Sequence, residues 1–193
     1  MPAKGDHDAR RAQVSEAVWR VLAARGFGGL TLRAVAGELG SSTGLLTHYF
    51  PSKRALVWHA LDLAEERSRA YPRRVPDGEG LDALRSALLD VLPLTPELVE
   101  MSRVWVSSWD AGIGDDELGK LHGARYVRWR GRLTGHIETA IRLGQVSAAD
   151  PELLAIRCAA FAHGLVVQAL FDPELITPEV QIRLLDEFLT SLE

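Results

Sequence analysis

Six histidines, one cysteine and one dense run of small polar residues are the parts of this 193-residue sequence that could do chemistry. His7, His48, His59, His122, His136 and His163 fall at no metal-ligand spacing such as H-E-x-x-H. Gly112-Ile113-Gly114 follows a helical pattern rather than a strand, so it reads as a turn and not as a nucleotide loop. With no nucleophile elbow and no phosphate loop, neither enzyme activity nor a cofactor is expected. Cys158 sits in an apolar run and reads as an inert core thiol. The densest polar chemistry lies in Leu30–Leu56, LTLRAVAGELGSSTGLLTHYFPSKRAL. Thr31, Ser42, Thr43, Thr47 and Tyr49 offer hydroxyls, His48 an imidazole, and Arg33 and Lys53 cations. Such groups can hydrogen-bond phosphate oxygens and base edges.

Two short helices must position that set. Thr31 can cap a helix running to Leu39, Gly40 supplies a left-handed stop, and Ser42 can cap a second helix reaching about Phe50. Two helices joined by a short glycine-bearing turn follow the helix-turn-helix plan. Period and capping alone also allow an ordinary packed hairpin. The second helix, however, turns Thr43, Gly44, Leu45, Thr47 and His48 outward, and it fits a major groove about 12 Å wide. Tyr49 and Lys53 at its end could reach phosphates and set register.

The rest of the chain reads as helix throughout. Thr95-Pro96-Glu97, Asp150-Pro151-Glu152 and Thr177-Pro178-Glu179 each join an N-cap, a first-turn proline and a glutamate facing the helix dipole. An all-α fold of about nine helices follows, at 8–26, 31–39, 42–49, 52–73, 79–92, 96–111, 115–143, 150–171 and 177–191. Linkers are expected at 71–80 and at Gly112–Gly114. The division expected is a helix-turn-helix domain at 1–51 and a helical ligand-binding and dimerisation domain at 52–193.

Composition, 47% hydrophobic and 25% charged, is that of a globular chain. The net charge of −4 hides an asymmetry: residues 1–54 hold eight basic and four acidic residues, a balance of +4, leaving −8 on the remainder. A basic head on an acidic body suits a phosphate-binding domain joined to a different module. No signal peptide opens the sequence. The longest uncharged apolar run, Cys158–Phe171, holds 14 residues and is too short to span a bilayer, so a cytoplasmic protein without a membrane partner is expected.

The Leu30–Lys53 string resembles the DNA-binding domain of the TetR family. Gly40, Ser42, Gly44, Leu46, His48-Tyr49-Phe50 and Ser52-Lys53 carry the likeness, with Arg25-Gly26-Phe27 and Leu30-Thr31 before them. The likeness is close over about residues 8–56 and is nearest, from Thr43 to Phe50, to the BetI-like branch. Departures stand at Thr47, where many members carry Tyr, and at Ser41, usually apolar. The resemblance implies base-reading positions at Thr43, Gly44, Leu45 and Thr47. It implies phosphate positions at Thr31, Ser42, Tyr49 and Lys53, and either role for Arg33. Arg10 and Arg11 read either as a minor-groove arm or as a solvated end.

The family also implies a homodimer on palindromic double-stranded operator DNA, built from the last two helices. Phe161, Leu165, Gln168, Phe171, Leu185 and Phe188 are the candidate contacts, with burial inside one chain the alternative. A small-molecule effector is implied within the middle helices. Met101, Trp105, Trp109 and Asp110, with Tyr126 and Trp129, are the candidate lining, although an aromatic stripe can simply be core. Indole faces beside a carboxylate would suit a cationic or aromatic ligand, in keeping with a branch whose namesake senses choline. An apolar acyl ligand, or a constitutive DNA-binding or protein-interaction module without any ligand, are the rivals. The family default is repression relieved by ligand.

Overall fold

The structure is a computed structural model that describes residues 4–147 and 150–192. Among the described residues it is all-helical, with nine α-helices and no strand. They are α1 (Lys4–Arg25), α2 (Leu32–Leu39), α3 (Thr43–Tyr49), α4 (Lys53–Ala70), α5 (Leu81–Leu89), α6 (Pro96–Gly114), α7 (Asp116–Arg142), α8 (Pro151–Phe171) and α9 (Pro178–Thr190).

Local chemistry sets most boundaries. Thr95, Asp150 and Thr177 accept from the backbone N–H groups of Leu98, Leu153 and Val180, each followed by a first-turn proline, as the three triplets predict. Such a cap contributes about 1 kcal/mol. Glu97 and Glu179 are held below the usual carboxylate range by hydrogen bonds to their own backbone N–H and to the capping threonine. Gly26 and Gly40 close α1 and α2 at φ +61° and +63°, the left-handed region that glycine enters without steric cost.

The chain divides into two compact units. One comprises Met1–Tyr71 and Arg103–Ala111; the other comprises Pro72–Ser102 and Gly112–Glu193. The expected division at 51/52 falls before α4, whereas by packing α4 goes with the N-terminal helices. In the first unit α1 packs on α2 and α4, and α2 packs on α3. Leu22, Leu30, Leu46 and Leu56 are fully buried there, each contributing roughly 1.5–3 kcal/mol. Arg67 of α4 stacks its guanidinium 4.4 Å from the Trp19 ring and pairs with Glu16, joining α4 to α1.

In the second unit α7 packs along α8, and α5 touches α7, α8 and α9. Arg85 of α5 grips Asp186 of α9 through two nitrogens, at 2.6 and 3.0 Å. Gly112–Gly114 is not the expected turn: α6 runs through it and Asp115 caps α7 by accepting from Glu117 N and Leu118 N. A Cβ at Gly112 would lie 2.6 Å from His122 Cδ2, so the glycine is there for close helix approach. α8 is long and apolar enough to cross a membrane by length and composition, starting seven residues before the apolar run. One of its faces, including Leu154, Cys158, Ala162 and Val166, is buried in its own unit. Cys158 is fully buried, and burial pushes its thiol up to about 11, as befits a core residue.

Candidate nucleic-acid interface and effector site

The helix-turn-helix is built by its caps. Thr31 Oγ1 accepts from Ala34 N at 3.1 Å to start α2, and the Gly40 N–H returns to Ala36 and Gly37 carbonyls. Ser42 stands at the N-cap of α3 in extended backbone, and its carbonyl accepts from Leu45 N. Its side chain makes no capping bond, contrary to expectation, and the residue is exposed. Leu46 and Phe50 face inward and anchor α3. Thr43, Gly44, Thr47 and His48 are exposed and Leu45 and Tyr49 half-buried, the pattern of a helix whose other side is free to enter a groove.

Thr47 Oγ1 donates to Gly44 O at 2.8 Å, so its proton is engaged and its outward chemistry is a methyl group and an acceptor oxygen. Arg33 on α2 and Lys53 at the start of α4 are exposed cations. Ser52 caps α4, its side chain accepting from Ala55 N. Arg10 and Arg11 lie inside α1, and Arg10 donates to Gln13 at 3.0 Å, so neither belongs to a loose arm. No spacing or motif in the sequence marks His59. It lies 3.1 Å from Ser15 Oγ and 5.1 Å, centroid to centroid, from the Phe50 ring. Burial, first of all, holds its imidazole below the ordinary value.

The candidate effector residues divide between the units. Trp105, Trp109 and Asp110 go with the N-terminal unit, where Trp105 Nε1 donates to Ser68 Oγ at 2.9 Å. Asp110 is exposed. Met101, Tyr126 and Trp129 go with the other unit. Tyr126 and Trp129 of α7 converge on His163 of α8, with centroids 5.2 and 4.9 Å away. Trp129 is 8% exposed. Burial, with Arg125 nearby, pushes His163 down to about 4, so this cluster is neutral at physiological pH. The one sequence signal for His163 was a histidine in the middle of an apolar helix.

The candidate dimer residues also differ in kind. Leu165 and Leu185 are 4% and 1% exposed in one chain and belong to its own core. Phe161 and Phe188 stack on each other with centroids 4.3 Å apart. Gln168 and Phe171 face outward, Phe171 at 83% exposure. They continue a stripe of α8 that also exposes Leu153, Ile156, Ala160 and Gly164.

Known proteins share both halves of this arrangement. Residues 14–60 match the family described as bacterial regulatory proteins, tetR family. Residues 80–192 match the family described as BetI-type transcriptional repressor, C-terminal. The chain is 29% identical to the HTH-type transcriptional regulator PksA of Bacillus subtilis, covering 100% of this chain and 94% of that one. It is 29% identical to the HTH-type transcriptional regulator BetI of Burkholderia cenocepacia, covering 81% and 82%. Among solved structures, a transcriptional regulator from Saccharomonospora viridis in complex with choline superposes with TM-score 0.82 at 25% identity, covering 94% of this chain and 96% of that one. A TetR-family regulator from Rhodococcus gives 0.79 at 26%, covering 95% and 98%. The helix-turn-helix at the N-terminus and the helical body that follows it are the two parts of one known design, and the chain belongs to the TetR family of transcriptional regulators, with a BetI-type C-terminal domain.

Proposed function

We propose that the protein is a cytoplasmic homodimeric repressor that leaves a palindromic operator when a cationic, quaternary-ammonium-like ligand binds its C-terminal domain. The observation that carries the ligand class is the convergence of Tyr126 and Trp129 on a neutral His163. Aromatic faces attract a cation through the ring quadrupole, and a neutral imidazole adds no charge to that of Arg125 nearby. The choline bound to the Saccharomonospora relative supports the same class. In the DNA-binding part, Thr43, Gly44, Leu45 and Thr47 read bases, while Thr31, Ser42, Tyr49 and Lys53 hold phosphates. Arg33 and His48 flank them. The outward stripe of α8, from Leu153 through Phe171, pairs with its copy across a two-fold axis. Ligand shifts the population towards a spacing of recognition helices that no longer suits both half-sites.

The test has two stages. Duplexes are first selected from a random pool by the full chain. Choline, glycine betaine, aromatic cations and fatty acyl compounds are then screened for thermal stabilisation and for release of the selected duplex. Stabilisation by acyl compounds alone rejects the cationic class. The near-complete burial of Trp129 favours a second reading, a filled core in a constitutive regulator; release by no compound would support it.

A further inference from the structure

Within the N-terminal unit, α1, α3 and α4 leave a cavity of about 410 Å³ whose wall includes Arg11, Ser15, His48, Tyr49 and His59. Arg11 and His48 are exposed, whereas Ser15 and His59 are half-buried. His59 of α4 reaches Ser15 of α1 at 3.1 Å and the ring of Phe50, the C-cap of α3, at 5.1 Å. A guanidinium, two hydroxyls and two imidazoles are all able to donate, which is what an oxyanion requires.

We infer that this cavity is a phosphate subsite of the DNA interface, in which Arg11 and His48 hold a backbone phosphodiester of duplex DNA and His59 takes up a proton as the duplex seats. The inference rests on the DNA-binding reading above and adds Arg11, Ser15 and His59 to it. The sign follows from the groups around the imidazole. Burial disfavours its charged form; Asp62 and Glu66, on its own helix, favour that form, and Arg11 of α1 opposes it. His48 and Tyr49 face the same cavity from α3. A phosphate paired with Arg11 cancels the opposing cation and adds its own attraction to that of the two carboxylates. Both ring nitrogens of a charged imidazole are donors, so the Ser15 contact survives protonation. Binding and proton uptake are therefore linked, and affinity rises as pH falls from the raised, duplex-bound midpoint of His59 towards its depressed midpoint in the free protein.

The probe is a fluorescent duplex selected from a random pool by the wild-type full-length chain. Between about pH 7.5 and 6, wild-type affinity is expected to rise roughly threefold more than that of folded His59→Gln, which can bond Ser15 without titrating. Calorimetry in two buffers of different ionisation heat should show proton uptake that His59→Gln lacks. Arg11→Gln should weaken binding and diminish the uptake. Should His59→Gln fail to fold, the histidine resonances of the wild-type chain provide the same answer: the His59 midpoint rises when duplex is added. Equal uptake in wild type and His59→Gln, or a His59 midpoint unmoved by duplex, overturns the inference alone. A midpoint raised equally by inorganic phosphate without DNA assigns the cavity to free phosphate and overturns the duplex assignment. A wild-type chain that selects no duplex overturns the DNA-binding reading and this inference together.

Discussion

Ser107 accepts a hydrogen bond from the backbone N–H of Phe27 at 3.2 Å, tying α6 to the turn that leaves α1. The turn's Gly26 stands at φ +61°, and a Cβ there would lie 2.8 Å from Ser107 Cβ. α6 thus seats a serine where only a glycine-backed turn leaves room, at the entry to the helix-turn-helix. The same helix begins among residues of the C-terminal unit, since that unit extends to Ser102.

Gly26→Ala is expected to lower unfolding stability by about 1–3 kcal/mol, because left-handed backbone and the Ser107 contact both oppose a Cβ. Ser107→Ala should rescue it only in part, since it removes the Oγ that would lie 2.9 Å away but retains the Cβ at 2.8 Å and leaves the left-handed backbone unchanged. Urea denaturation of the single and double variants measures both; full rescue by Ser107→Ala would show that the hydroxyl, not the backbone, sets the limit.

Lys53→Ala should weaken binding to all duplexes alike and reduce the salt slope by about one. Thr47→Val should keep the part of the sequence preference that rests on the methyl group and lose the part read by the acceptor oxygen, since the hydroxyl proton is already engaged with Gly44 O. Thr47→Ala should change preference at particular bases. Selection profiles and salt titrations distinguish these outcomes, and identical behaviour of Lys53→Ala and Thr47→Ala would remove the division into phosphate and base contacts.

His163 makes the C-terminal unit sensitive to acid. Its folded-state pKa is lowered from 6.5 to about 4, so folding favours the neutral form. The sign is that of a depressed histidine: stability is complete above about 6.5 and is lost as pH falls from there towards 4, by roughly 2–3 kcal/mol. Chemical unfolding across that window should show a flatter decline in His163→Gln than in wild type. Equal slopes would mean that His163 is solvated.

If α8 pairs with its copy as proposed, Ile156→Glu on its outward stripe should turn a dimer into a monomer in sedimentation while leaving the fold of each subunit intact. Leu185→Ala acts on a side chain buried in one chain and should instead cost about 2–5 kcal/mol of stability. A dimer indifferent to Ile156→Glu would move the interface elsewhere.

Much of this molecule was legible in one dimension because the relevant physics is local. Thr31, Thr95, Asp150 and Thr177 cap helices through backbone groups three residues away, and Gly40 supplies a left-handed stop that depends on no distant contact. The outward face of α3 is read from its residue types, few of which a buried helix would need, and Thr43, Gly44, Thr47 and His48 are exposed. Tertiary structure decided what depends on a second helix. Gly112 looked like a turn because its neighbour His122 lies on α7, ten residues on, and close approach of helices leaves no local signature. Leu165 and Leu185 looked like interface because apolarity does not reveal which surface covers it. His59 and His163 stood as isolated histidines until Ser15 and Phe50, and Tyr126 and Trp129, were brought to them. A cap is written within one turn of chain, but a cluster of rings forms only when separate helices pack, and packing is decided by the whole core at once.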